Sequence, residues 1–341
     1  MAIIIIIIVS RKWENILNNK KILVTGGSGF IGKSLVERLV TYGYSPIVFD
    51  NDSRGSMEKL KHLNKKVEFF EGDIRNKEDV LTATKNCSGL IHLAFVNGTR
   101  FFYEKPELVL EVGVKGAINT LDVALELGLK KYMLASSSEV YQQPSSIPTD
   151  EKERIIIPDI TNPRFSYSGG KIISELLAIN YLRNSKIDHA IFRPHNVFGP
   201  QMGFEHVIPE IVKKIHVATD GFKKNSCSIE IQGSGNETRA FCYVEDAVDQ
   251  IMLVFEHGKN GEIYHIGMNK EVAILDLIKE ISNLLCVDVN IVPGSLPSGG
   301  TSRRCPDIRK ICGLGYDKKN NFDEGMKKTV KWYKAYYLNQ N

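Results

Sequence analysis

The stretch KKILVTGGSGFIGKSL, Lys20–Leu35, decides the fold. An apolar run (Ile22, Leu23, Val24) meets a glycine cluster, and a periodic apolar segment follows at Phe30, Ile31, Leu35, Val36 and Leu39. That order predicts a strand, a tight turn and a helix. Gly26, Gly29 and Gly32 recur at every third position. The first permits a sharp turn, the second lets a pyrophosphate approach the backbone, and the third lets the helix pack close to the strand. An anion placed there meets unpaired N–H groups and the positive end of the helix dipole. A second apolar strand, Pro46–Phe49, ends on Asp50, about 20 residues beyond the glycines, where an acid bonds the ribose hydroxyls of an adenosine. A carboxylate there repels a 2′-phosphate, so the expected cofactor is NAD rather than NADP.

Outward from this unit, short apolar strands are expected at 22–25, 46–50, 67–70, 89–93, 131–136 and 188–193, alternating with helical patterns. The spacing leaves room for crossover helices, which predicts an α/β fold with a doubly wound parallel sheet, the Rossmann arrangement. Ligands bind beyond the carboxyl ends of such strands. There the sequence has Asp73-Ile74, His92-Leu93-Ala94 and Ser136-Ser137-Ser138-Glu139. Long helices are expected over 106–127 and 166–183; in the first, Leu110, Val114, Ala117, Leu121 and Leu125 form an apolar stripe suited to the core or to a partner subunit. Past Arg193 the alternation stops, and Pro194, Gly199-Pro200, Pro209, Gly233-Ser234-Gly235 and the loop from Pro293 to Gly300 punctuate shorter elements. The expected division is an N-terminal extension over 1–19, an NAD-binding domain over 20–195 with a strand returning near 262–267, and a smaller substrate-binding domain over 196–341.

Composition narrows the classes. The 341 residues, 43% hydrophobic and 25% charged, suffice for a large core. A net charge of +4 without a dense basic block argues against a nucleic-acid partner. The isoleucine run near the N-terminus is too short to span a bilayer, so no membrane partner is expected. The cysteines (Cys87, Cys227, Cys242, Cys286, Cys305, Cys312) show no C-x-x-C pair, which argues against a metal site and for reduced, buried thiols in the cytoplasm.

Tyr167 and Lys171 lie four apart and share one face of a helix. An ammonium beside a phenol favours the phenolate, as a bound nicotinamide cation does, so Tyr167 is expected to act as a base near neutral pH. Ser137 is a second partner for a substrate hydroxyl.

TGGSGFIG, Asp50, Gly72-Asp73-Ile74, His92-Leu93-Ala94, ASSSEVY and YSGGK, in this order, resemble the extended short-chain dehydrogenase/reductase family of NAD-dependent nucleotide-sugar epimerases and dehydratases. The likeness continues through RPHNVFGP, TRAFCYVEDAV and RRCPDIRK, nearly the whole chain from Lys20 on. It implies that Tyr167 takes the proton of a sugar 4-hydroxyl while hydride passes from C4 to NAD, that Ser137 holds that oxygen, and that Lys171 binds the nicotinamide ribose. Gly26, Gly29, Phe30, Ile31, Gly32, Asp50, Asn51, Asp73, Ile74, Leu93 and Ala94 fall on the implied cofactor side. Asn196, Arg239 and one of Arg303 or Arg304, with Arg304 taken, fall where the family holds the substrate's diphosphate and nucleoside, and an arginine fork suits a pyrophosphate; Ser138 falls on the substrate side as well. The resemblance also implies a homodimer built on the two long helices.

The chain departs from the family pattern at Ala240, where an aspartate is usual, at Gln142, where a glycine is usual, and at Gly113, where an asparagine is common. His195 beside Asn196 is unusual; it is placed to reach substrate, but the favoured reading is a hydrogen-bonded histidine behind the site. The resemblance implies that a glutamate at position 139 is common in 4,6-dehydratases and uronate decarboxylases; Glu139 is the candidate for removing a C5 proton, as 4,6-elimination requires, but Ser138 supplies no acid to expel a C6 hydroxyl. C4 epimerisation is therefore the leading expectation, dehydratase or decarboxylase the alternative, and a non-catalytic NAD-binding regulator the reading from another class.

Overall fold

The structure, a computed structural model, describes residues 20–295, 301–317 and 321–340. The expected extension over 1–19 and the 296–300 part of the loop after Pro293 lie outside the described residues. The chain begins with β1 (Lys21–Thr25), α1 (Phe30–Thr41), β2 (Ser45–Asp50), β3 (Glu68–Glu71), α2 (Lys77–Thr84), β4 (Gly89–His92) and α3 (Thr99–Glu104). It continues with α4 (Pro106–Glu126), β5 (Lys131–Ala135), α5 (Ser166–Leu182) and β6 (Asp188–Pro194). Then come β7 (Val197–Phe198), α6 (Val207–Ala218), β8 (Ser226–Ile231), β9 (Thr238–Ala240), β10 (Cys242–Tyr243) and α7 (Val244–His257). The last elements are β11 (Glu262–Ile266), β12 (Glu271–Ala273), α8 (Ile274–Leu285), β13 (Asp288–Pro293), β14 (Arg303–Arg304), α9 (Arg309–Cys312) and α10 (Phe322–Leu338).

The main sheet has seven strands in the order β11-β6-β5-β4-β1-β2-β3. Every pairing in it is parallel. Ile22, Leu23 and Val24 are fully buried because helices cover both faces, which explains a continuous apolar run where a half-exposed strand alternates. Leu35, Val36 and Leu39 of α1 are equally buried, each contributing about 1.5–3 kcal/mol. The glycine turn joins the two elements: Gly26 has φ +69°, and its N–H donates to Phe49 O at 2.8 Å. A Cβ on Gly32 would lie 2.1 Å from Gly26 O, so only glycine lets α1 sit this close.

The stripe expected on α4 divides. Ala117 and Leu121 are buried, whereas Leu110 and Leu125 are exposed. The buried face runs instead through Val109, Gly113, Gly116, Thr120 and Ala124. Small residues there let neighbours approach closely; a Cβ on Gly116 would meet Ile74 Cδ1 at 2.3 Å.

Beyond β6, α6, α8 and α10 accompany three small sheets: β10 with β7, β12-β9-β14, and β13 with β8. β11 returns to the edge of the main sheet beside β6. Cys242 and Cys305 are buried as expected, but Cys286 is exposed, in a left-handed conformation at the C-cap of α8. Among the described residues no helix is long and apolar enough to cross a membrane.

Candidate active site

The carboxyl ends of β1, β2, β4, β5 and β6 bring most of the expected residues to one edge of the sheet. Gly29 caps α1 without a side chain, and the first turn holds no acid, so its N–H groups face an incoming anion unopposed. A Cβ on Gly26 would lie 2.8 Å from Ala94 N, so the glycine loop and the Leu93-Ala94 segment form one cradle. Ala94 N donates to Thr25 Oγ1 at 3.3 Å and Leu93 N to Thr25 O at 3.1 Å. Asp50 accepts from Ser28 N and from Asp52 N, both at 3.1 Å, which fixes the carboxylate at the end of β2. Phe30 and Ile31 pack half-buried in the first turn of α1. This uncapped, glycine-lined cradle with an acid at its far end fits a dinucleotide such as NAD.

Asp73 is more occupied than expected. Arg75 grips it, Nε to Oδ1 at 3.0 Å and Nη2 to Oδ2 at 2.6 Å, and Asn51 bonds it too. The Arg75 fork holds its carboxyl below the usual range. Ile74 is buried beside it, and its carbonyl accepts from Asn119 at 2.8 Å.

Ser137, Tyr167 and Lys171 converge at the end of β5. The Ser137 hydroxyl accepts from Glu139 N at 3.1 Å and is hydrogen-bonded to the Tyr167 phenol. Lys171 Nζ donates to Ala135 O at 2.7 Å and lies 5.8 Å from the Tyr167 ring centre. Its charge does not activate the phenol as the sequence suggested. Burial pulls Lys171 down to about 7, despite Glu175 nearby, and burial pushes Tyr167 up to about 12, only partly offset by Ser137. The protein alone therefore keeps the phenol protonated; its activation requires further positive charge at the site.

Phe95 was missed by sequence reasoning. Its ring meets Tyr167 edge-on at 5.1 Å, and Lys171 Nζ sits 4.1 Å from its centre. Phe102 stacks on the same phenol, also at 5.1 Å. A Cβ on Gly113 would come within 2.3 Å of the Phe95 ring and one on Gly170 within 2.9 Å. The unusual Gly113 and the second glycine of YSGGK are thus the signal: together they make the slot for Phe95.

On the substrate side, Glu139 and Arg304 pair with each other, Oε1 to Nη1 at 2.5 Å. Burial pushes Glu139 up, but Arg304, with Arg164 and Arg239 behind it, outweighs burial and holds the carboxyl below its usual range. Glu139 is thus a carboxylate, able to accept a proton but not to donate one. Arg303 turns away to Glu271, with Nη2 to Oε1 at 2.6 Å, so of the two arginines it is Arg304 that reaches the site. Arg239 binds the carbonyls of Thr238 at 2.8 Å and Thr301 at 2.7 Å. Burial, and then Arg304, pull its guanidinium down to about 10. Asn196 adopts φ +41° and reaches Ala240 O at 3.4 Å. Ser138 is buried. Gln142 has φ +52°, which explains why a glycine suits that position; its amide donates to Glu139 O at 2.6 Å.

A buried polar chain underlies these groups. Arg193 binds Glu175 through Nε at 2.8 Å and Nη2 at 2.5 Å, and donates to Tyr141 OH at 2.5 Å. Tyr141 OH in turn meets His265 Nε2 at 2.6 Å. Glu175 follows Lys171 by one helical turn, a spacing visible in KIISE that sequence reasoning did not use. His195 corrects an expectation: both its ring nitrogens are buried without a hydrogen-bond partner among the described residues. A separate cleft of about 630 Å³ between α6 and β8, lined in part by Lys213, Lys214 and Ile229, contains none of the motif residues.

A doubly wound sheet with this cradle and a Ser-Tyr-Lys set at the strand ends defines a dinucleotide-dependent enzyme. The chain belongs to the NAD dependent epimerase/dehydratase family, which it matches over residues 22–267. It is 33% identical to a Methanocaldococcus jannaschii protein assigned as a UDP-glucose 4-epimerase, over 92% of this chain and 98% of that one. It is 30% identical to the human dTDP-D-glucose 4,6-dehydratase, over 94% and 91%, and 28% identical to a UDP-N-acetyl-alpha-D-glucosaminuronate decarboxylase of Bacillus cytotoxicus, over 92% and 98%. Among solved structures it resembles the Thermotoga maritima UDP-glucose 4-epimerase with UDP-glucose (26% identity, TM-score 0.80, 93% and 99% covered). It also resembles the Streptomyces venezuelae dTDP-glucose 4,6-dehydratase with NAD bound (28%, 0.81, 92% and 97%).

Proposed function

We propose that the chain is a nucleotide-sugar 4-epimerase working through a transient 4-keto sugar. The observation that carries this reading is the state of Glu139: a carboxylate locked to Arg304, beside a buried serine, leaves no acid to expel a C6 hydroxyl. Tyr167 takes the proton of the sugar 4-hydroxyl and later returns it. Ser137, already bonded to that phenol, holds the same oxygen, and Lys171 holds the ribose next to the nicotinamide. The chemistry that NAD would supply here is reversible acceptance of the C4 hydride, and its cationic ring would favour the ionised phenol. Gly26, Gly29, Phe30, Ile31, Gly32, Asp50, Asn51, Asp73, Ile74, Leu93 and Ala94 line its cradle. Asn196, Arg239, Arg304 and Ser138 hold the sugar and its diphosphate, Arg304 through the guanidinium N–H groups that its pairing with Glu139 leaves free. Residues 20–195 with β11 serve the cofactor, and the part over 196–341 serves the substrate.

One observation favours a second reading. An arginine and a carboxylate side by side next to Ser137 also suit a uronate decarboxylase, with Arg304 on the sugar carboxylate. A substrate carrying deuterium at C4 tests the proposal against dehydration, in a panel of UDP-, dTDP-, GDP- and CDP-sugars. Epimerisation keeps the label at C4, whereas a product labelled at C6 contradicts it.

A further inference from the structure

His195 is the only side chain at this site with two buried polar atoms that lack a partner among the described residues; Ser136 and Ser166 have one each. It stands just past the end of β6, 1% exposed, with Asn196 next in the chain. Its neighbours are satisfied: Tyr141 has Arg193 and His265, and His265 also bonds Asp307 O at 3.1 Å. The His195 ring packs 4.6 Å from His265 without a hydrogen bond to it, and both of its own nitrogens are unpaired. Room for the ring depends on Gly267, where a Cβ would lie 3.1 Å from His195 Cβ and 3.0 Å from Pro306. Burial, then His265 and the charges of Arg304 and Arg193, hold the imidazole neutral, with one donor and one acceptor to offer. Buried donors and acceptors are almost always paired, so an orphaned pair beside a binding residue calls for a ligand.

We propose that His195 hydrogen-bonds a neutral hydroxyl of the sugar and thereby helps to set which sugar the site accepts. This rests on the nucleotide-sugar reading above. The position selects the sugar over the cofactor: β6 lies on the far side of β5 and β4 from the glycine loop, and Arg304 and Asn196 are the neighbours. The neutral ring matches a hydroxyl better than an anion, because a hydroxyl both donates and accepts, whereas a carboxylate or phosphate uses only the N–H and leaves the other nitrogen unpaired.

The test compares UDP with UDP-glucose, and dTDP with dTDP-glucose, by calorimetric titration of the NAD-loaded wild type, His195→Phe and His195→Gln. In the pair the wild type prefers, His195→Phe should bind the nucleoside diphosphate unchanged and the nucleotide-sugar about tenfold more weakly, one lost hydrogen bond. Its melting temperature should match or exceed the wild type's, since an orphaned group is gone. His195→Gln, which keeps a donor and an acceptor, should recover part of the sugar affinity. Equal weakening of diphosphate and sugar, or full sugar affinity in both variants, overturns the proposal. So does a lower melting temperature in both variants, which would mark a structural water on the ring. Should the wild type gain no affinity from the sugar, the nucleotide-sugar reading itself fails.

Discussion

At the scale of single residues the site works by burial. Tyr167 and Lys171 are 7% and 3% exposed, and burial moves them in opposite directions, the phenol up to about 12 and the ammonium down to about 7. Replacing Tyr167 with Phe should lower kcat about 10²–10⁴-fold with NAD binding intact, as judged by turnover and cofactor titration. For Lys171 the folded pKa lies below the unfolded one, so the fold carries a charging penalty. That penalty is full below about pH 7 and is relieved as pH rises from there towards the unfolded value near 10.4. Lys171→Met should therefore melt higher than the wild type at pH 6, by a few degrees, and lose the advantage near pH 10. Glu175 poses the reverse case. It and Arg193 are both about 2% exposed, so Glu175→Gln leaves a buried guanidinium unpaired and should cost about 3–5 kcal/mol in denaturant titration.

At the scale of elements, exposed apolar residues on the long helices bear on assembly. Leu110 and Leu125 on α4 and Ile173, Leu176 and Tyr181 on α5 are 37–54% exposed, while the two helices pack against each other. Two such pairs of helices, one from each chain, would bury these residues in a four-helix contact, and we propose a homodimer on that face. Light scattering at micromolar concentration should give a dimer for the wild type and a monomer for Leu176→Glu. The elements themselves were readable because parallel strands are buried on both faces and announce themselves as apolar runs. The glycine turn, β1 to β6 and the ends of α4 and α5 fall within a residue or so of expectation. The small sheets after β6 were not readable. β9 and β14 are two or three residues long and pair across 60-odd positions, a contact with no local pattern. Phe95 escaped for a related reason: its slot is set by Gly113 on α4 and Gly170 on α5. His195 was singled out, but its lack of a hydrogen-bond partner among the described residues left no mark in the local sequence.

At the scale of the whole molecule, the proposed function joins a cofactor cradle on β1, β2 and β4 to a sugar site on β5, β6 and β14, with Tyr167 between them. Everything then turns on the fate of the 4-keto sugar. If the keto sugar loses neither a C5 proton nor carbon dioxide, hydride leaves C4 and returns to C4, and no carbon-bound hydrogen exchanges with solvent. The most direct measurement is therefore turnover in deuterated water, with the product read by mass spectrometry and NMR. The account predicts a C4 epimer containing no carbon-bound deuterium. Deuterium at C5 would contradict it, because elimination and decarboxylation both end with a solvent proton on that carbon.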